Sequence, residues 1–194
     1  MNGNGKIELA VIDSNTLTCL GLELILNKVV PDAVIRIFHD FGAFMDDTPD
    51  MYHYYFVSSE QYVLYNFFFL PRKERTIIMM HGTFNHSIPK GNNILNVDRP
   101  EKKLANDVKR YFMMGDDKKL LSTRDDNDLS PREIDVLVLV CKGLLNKEIA
   151  EKLNISLTTV ITHRKNITQK LGIKSVSGLT LYAMMNGYIT PDKI

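Results

Sequence analysis

Cysteine is scarce: the 194 residues hold two, Cys19 and Cys141, at apolar positions of unrelated segments. That excludes a disulfide framework and fits buried thiols in a reducing cytosol. Long apolar runs are missing as well. The most apolar stretch, Phe67–Leu70, is far short of the roughly 18 residues that a membrane helix needs. The polar start Met1–Gly5 carries no secretory leader, so a cytoplasmic protein with no membrane contact is expected. The five histidines are scattered and no Cys/His spacing suits zinc. No glycine-rich phosphate loop follows any candidate strand. No catalytic residue, metal or cofactor is therefore expected. A dominant charge sign is lacking too, since the formal net charge is +1.

Hydrophobic residues make up 44% of the chain and charged residues 24%, which suits one or two soluble globular domains. The charge is unevenly placed. Residues 1–128 carry 15 Lys and Arg against 18 Asp and Glu, whereas residues 129–194 carry 9 against 5. The smaller piece is thus the basic one, as a phosphate-facing domain would be.

From Lys6 to about Met114, short apolar runs alternate with amphipathic ones. Ile7–Ile12, Val34–Phe38, Tyr54–Ser58, Thr76–Met80 and Ile94–Val97 read as strands. A helix runs through Leu17, Leu20, Leu24 and Ile25, and another spans Pro100–Phe112 with Leu104, Val108 and Phe112 on one face. Such alternation predicts a five-stranded parallel sheet with helices on both faces, in flavodoxin-like order. Residues 115–128 are charged and aperiodic and read as a linker, with Lys119–Ser122 as a short helical turn. The expected division is residues 1–114, a linker at 115–128, and a second domain at 129–194.

The second domain is all-α. Ser130-Pro131-Arg132-Glu133 combines a capping serine, a proline at the first helical position and a glutamate three residues after the cap. Asn146 is placed to cap a second helix, Lys147–Leu153. Asn154-Ile155-Ser156 makes a turn, and Ser156 caps a third helix that Gly172 ends in a left-handed conformation. A fourth helix spans about residues 175–186. On the third helix, Val160, Ile167 and Leu171 fall within roughly 20° of one direction at 100° per residue. Thr158, Thr162, Lys165 and Gln169 point the opposite way, flanked by Ile161 and Asn166. Lysine can donate to guanine, Asn and Gln can pair with adenine, and Thr or Ile can touch a thymine methyl. Lys142, Lys147, Lys170 and Lys174 surround this helix within reach of phosphates. On the helix alone, an ordinary solvated face explains the same residues equally well.

Leu129-Ser-Pro-Arg-Glu-Ile-Asp-Val-Leu, Gly143, Asn146-Lys-Glu-Ile-Ala, Leu153, Ile155-Ser156, Thr159-Val160, Thr162-His163-Arg164, Asn166-Ile167 and Lys170-Leu171-Gly172 together resemble the LuxR-type helix-turn-helix of the NarL/FixJ response-regulator group. The likeness covers about residues 128–188, with the helix-turn-helix motif from Asn146 to Lys165. It implies a transcription regulator that binds double-stranded DNA, as a homodimer in which the fourth helix often contributes. It places Ile161, Thr162 and Lys165 at base-reading positions. Lys147, Thr158, Thr159, His163, Arg164, Asn166, Gln169, Lys170 and Lys174 then reach phosphate or support the helices. His163 and Arg164 sit nearer the apolar side of the wheel, which favours support or phosphate over base contact. At position 161 the family usually carries lysine, and this chain carries isoleucine.

The same resemblance makes the N-terminal domain a CheY-like receiver, whose chemistry needs an acidic pair, an acceptor aspartate, a hydroxyl residue and a lysine at successive strand ends. Here Asp13 is followed by Ser14, and Ser58-Ser59 stand where the acceptor aspartate would be. His81-Gly82 follow the fourth strand and Asp98 follows the fifth. A degenerate receiver that works without phosphorylation is expected. Nine of the seventeen aromatic residues lie in 52–69; core packing accounts for them better than a surface for a protein partner. The competing functions are a phosphorylation-controlled response regulator and an interaction protein that has lost DNA binding.

Overall fold

The computed structural model describes residues 6–82, 93–113 and 129–191. They divide into two compact units, one holding residues 6–82 with 93–113 and the other 129–191. The expected linker, including the turn at 119–122, lies outside the described residues.

The first unit is an all-parallel sheet of β1 (Glu8–Ile12), β2 (Val34–Phe38), β3 (Tyr54–Ser58), β4 (Thr76–Met80) and β5 (Asn93–Asn96) in the order β2-β1-β3-β4-β5. This is the doubly wound order expected from the alternation of elements. Strands β1, β3 and β4 are buried over nearly their whole length, as parallel strands covered on both faces must be. The fifth strand starts one residue earlier than its apolar run suggested, because Asn93 Nδ2 donates to the carbonyls of Lys73, Glu74 and Thr76 and anchors the edge.

Helices α1 (Thr16–Val29) and α5 (Glu101–Met113) cover one face over Leu9, Val11, Phe56, Ile77, Met79 and Leu95. The other face is aromatic. Phe38, Phe44, Tyr52, Tyr55, Phe68 and Phe69 pack edge-on and stacked, reaching from the sheet to α2 (Phe41–Met45) and α4 (Asn66–Phe69). Burying each such ring contributes about 1.5–3 kcal/mol. Of the nine aromatics in 52–69, six are buried and Tyr54 and Tyr65 are half-buried; Phe67 alone is exposed. Core packing is thus their main role.

One face differs from the sequence reading. Helix α1 turns Cys19, Leu22, Ile25 and Leu26 inward, and leaves Leu17, Leu20 and Leu24 outside at 80%, 53% and 57% exposure. The helix carries two apolar stripes on opposite sides, so its period cannot say which faces the sheet. Its rotation is set at the N-terminus, where Asn15 caps Thr18 N–H and the Cys19 thiol donates to the Asp13 carbonyl.

The second unit holds α6 (Pro131–Cys141), α7 (Asn146–Leu153), α8 (Leu157–Leu171) and α9 (Val176–Met185). Their shared core includes Val136, Leu137, Val140, Ile149, Val160, Ile167, Leu179 and Ala183. Among the described residues no helix is long and apolar enough to cross a membrane.

Candidate nucleic-acid interface

The capping box at the head of α6 is complete, and it does more than start a helix. Ser130 Oγ accepts from Glu133 N–H at 3.3 Å, and Glu133 Oε2 accepts from Ser130 N–H at 2.8 Å. The same buried Oε2 accepts from Lys170 Nζ at 2.7 Å. One carboxylate therefore ties the start of α6 to the last turn of α8. Burial pushes its pKa upward, and the Lys170 and Ser130 bonds together outweigh that and hold it below the usual carboxylate range.

Turn geometry sets the angle between α7 and α8. Gly143 at φ +79° closes the loop after α6. Asn146 is the first residue of α7 and not its cap, contrary to the sequence reading: Leu145 precedes the helix, and its N–H donates to Glu148 Oε2 at 2.6 Å. The glutamate reaching back makes a capping side chain at 146 unnecessary. Asn146 instead accepts from Arg164 Nη1 at 2.9 Å, across to α8. Asn154 ends α7 at φ +53°, in the left-handed region that asparagine tolerates. Arg132 Nη2 donates to the Leu153 carbonyl at 2.9 Å and fastens that end to α6.

Helix α8 starts as expected on Ser156, whose Oγ accepts from Thr159 N–H at 3.0 Å and lies 2.7 Å from Thr159 Oγ1. It ends at Gly172, φ +70°. Val160 and Ile167 are buried, with Leu171 half-buried beside them. Thr158, Ile161, Thr162, Lys165 and Gln169 are all exposed and Asn166 is half-buried. The outward face is therefore continuous over three turns of helix. Lys147 and Lys174 are exposed on its flanks, as is Lys142. Thr162 Oγ1 donates to the Thr158 carbonyl at 3.0 Å, which occupies its hydroxyl proton within the helix.

Four residues grouped as phosphate-reaching or supporting have partners or burial that set them apart. Lys170 is engaged with Glu133, Arg164 with Asn146, and Thr159 with Ser156. His163 is half-buried, and its Nδ1 has no hydrogen-bond partner among the described residues. The Glu133–Lys170 and Arg132–Leu153 ties were not found by sequence reasoning. Glutamate at the third helical position was the one visible signal.

The strand ends of the first unit hold a different chemistry. Asp13 is buried, and its Oδ1 accepts from Asn15 N–H at 2.9 Å, while Ser14 is exposed. Ser58 Oγ accepts from Gln61 N–H at 3.3 Å as the cap of α3 (Ser59–Leu64), with Ser59 half-buried beside it. His81 Nδ1 lies 2.8 Å from Asp98 Oδ1, and Asp98 Oδ2 accepts from Gly82 N–H at 2.5 Å. The Gly82 N–H, then His81, holds the Asp98 carboxyl below its usual range.

Comparison with known proteins agrees with both units. Residues 127–183 match the family described as bacterial regulatory proteins, luxR family. The transcriptional regulatory protein MctR of Rhizobium johnstonii is 43% identical over 83 residues, covering 41% of this chain and 39% of the relative. The oxygen regulatory protein NreC of Staphylococcus aureus is 40% identical over 85 residues, covering 43% and 39%. The matched part thus spans about two fifths of these curated relatives. RcsB of Salmonella enterica serovar Typhimurium, solved bound to promoter rprA, has the same fold over 94% of this chain and 100% of its own, with TM-score 0.63 and 18% identity. A structure of two RcsB dimers on two parallel DNAs matches at TM-score 0.61 and 18% identity, over 93% of this chain and 99% of that one. The fold is that of a CheY-like receiver joined to a helical LuxR-type domain.

Proposed function

Starting from a C-terminal domain that belongs to the luxR family of bacterial regulatory proteins, we propose that this chain is a transcription regulator that binds double-stranded DNA sequence-specifically as a homodimer. Residues 129–194 are its DNA-binding domain, and residues 1–114 a receiver-like domain that acts without phosphorylation. The observation that carries the reading is the exposed face of α8. Ile161, Thr162 and Lys165 stand on it free of the core, while Val160 and Ile167 hold the opposite side. The helix enters the major groove with this face, and α7 crosses the backbone. Lys147 and Lys174 meet phosphates, which fix register without reading sequence. The relatives named as regulators support the assignment of class.

Phosphorylation independence rests on the strand ends. An acceptor carboxylate is replaced by Ser58, which is already a helix cap, and the cation-holding acidic pair is reduced to Asp13. The test is a mobility shift on duplex DNA recovered by genome-wide mapping of bound sites. Affinity should fall steeply with salt, because neutralised phosphates release counterions. Lys165→Ala should lose the mapped sites while the protein stays folded. Salt-insensitive binding, or an unchanged map, would overturn the proposal.

A further inference from the structure

We propose that the cavity between the end of β5 and the outer face of α5 binds a small oligophosphate, a ligand carrying two or more linked phosphate groups. The cavity holds about 680 Å³, within the roughly 300–1,000 Å³ of small-molecule sites. Its helical wall is made by Lys103, Asn106, Asp107 and Arg110, with Arg99 just before the helix. The four recur at three- and four-residue steps and so share one stripe of α5. Leu104 and Val108 hold another stripe against the sheet, so the wall is separate from the core.

The chemistry of the wall selects the ligand. Asp107 Oδ2 accepts from Arg99 Nη1 at 2.6 Å, and its Oδ1 lies 3.4 Å from Arg110 Nη2. One carboxylate thus draws two guanidinium groups together, and one of the two cations is surplus to the pairing. Each guanidinium keeps most of its N–H donors for another partner. Lys103 is exposed beside them and adds a further cation. Exposed ion pairs stabilise a fold little, so stability does not account for the surplus.

The strand side of the cavity is already engaged. Asp98 spends its oxygens on Gly82 N–H and His81, and Asn96 spends its amide on the Gly82 carbonyl at 2.7 Å and Asp98 N–H at 2.9 Å. The charged groups left over, on Arg99, Lys103 and Arg110, are all donors. Such a set suits the acceptor-only oxygens of phosphate, which a guanidinium binds in a bidentate fork. Lys103 and Arg110 stand about two turns apart, roughly 10 Å along the axis, so linked phosphates engage the wall more fully than a single one. They lie along α5 and not at the strand end, where the Asp98 carboxylate would repel them.

The inference goes beyond the proposed regulator: it gives the receiver-like domain a ligand to sense, and its failure leaves the DNA reading intact. Calorimetric titration of the full chain with pyrophosphate and tripolyphosphate tests it, with sulfate as the single-centre control. Saturable binding at one site per chain is expected, tighter for tripolyphosphate than for sulfate. Lys103→Gln and Arg110→Gln should each weaken it by about tenfold or more while melting close to wild type. Lys109→Gln, which removes the same charge outside the cavity, should leave it unchanged. No saturable binding of either phosphate overturns the inference, as does sulfate bound as tightly or an equal loss in Lys109→Gln. A loss of affinity for duplex DNA in Lys103→Gln, with no phosphate added, would make the wall a DNA contact and overturn it as well.

Discussion

Ile161 is half exposed on α8, one residue from Thr162, whose hydroxyl proton is committed to the Thr158 carbonyl. Neither side chain can donate to a guanine edge as a lysine would. On the proposed reading face, Lys165 is then the charged donor beside Ile161 and Thr162. The operator should carry thymine, with its methyl group, opposite Ile161. Replacing that thymine by uracil should weaken binding a few-fold, and 5-methylcytosine should lose less affinity than cytosine. Ile161→Lys should shift the preference at that pair toward guanine. Selection of binding sites from random duplexes reads both effects, and strong guanine dependence in the wild type would contradict the first.

Glu133 is the other residue whose environment decides something. Lys170→Met removes the ammonium from a buried carboxylate that also accepts a backbone N–H. Hydrogen bonds to charged groups contribute about 1.5–3 kcal/mol, and the partly exposed lysine sets the lower part of that range. The pH dependence follows from the direction of the shift. A carboxylate held below its unfolded pKa contributes stability above that value and loses it as pH falls through the folded one. Acid unfolding of the helical domain should therefore steepen below about pH 4, near the unfolded glutamate value. In Glu133→Gln that component should disappear from a pH series of thermal melts.

Among the elements, the start of α6 and the end of α8 carry coupled contributions, because Glu133 bonds both Ser130 and Lys170. Ser130→Ala removes one half of the box and should cost about 1 kcal/mol. Gly172→Ala places a Cβ at φ +70° and should cost about 1–2 kcal/mol. Denaturant titration of both variants and of the double variant should show non-additive losses, because the Glu133 carboxylate joins the start of α6 to the last turn of α8.

The same elements show what a sequence can disclose. Strands β2, β3 and β4 match their apolar runs residue for residue; β3 and β4, buried on both faces, have little else to be made of. Caps at Ser130, Ser156 and Gly172 are local chemistry and were legible. The inward face of α1 was not, since two stripes compete and the choice depends on packing. Helices α3 and α4 and the 3-10 turn Leu70–Arg75 were hidden because each is six residues or shorter, too short to show a helical period. On α8 the exposed face followed from 100° steps alone. The Glu133–Lys170 tie did not, because its partners are 37 residues apart and meet only through the fold.

At the scale of the whole molecule, the question is what the receiver-like fold can still do. Phosphoryl transfer to a carboxylate needs a nucleophile, a divalent cation to offset charge, and positive donors around the developing phosphate. The strand ends offer the reverse. Ser58 is a neutral cap, Ser14 cannot help Asp13 hold a cation, and Asp98 brings a carboxylate fixed by Gly82 and His81. Incubation with acetyl phosphate or phosphoramidate and magnesium should give no acyl-phosphate mass shift, and no change in DNA affinity. Restoring the nucleophile alone should fail as well. In Ser58→Asp the new carboxylate would gain no second acid for the cation, and the Asp98 carboxylate would repel an incoming phosphoryl group. Intact-mass spectrometry of both proteins checks this. A stable shift on the wild-type N-terminal domain would restore the phosphorylation switch, whereas a shift on Ser58→Asp alone would mean that the missing nucleophile was the whole of the loss.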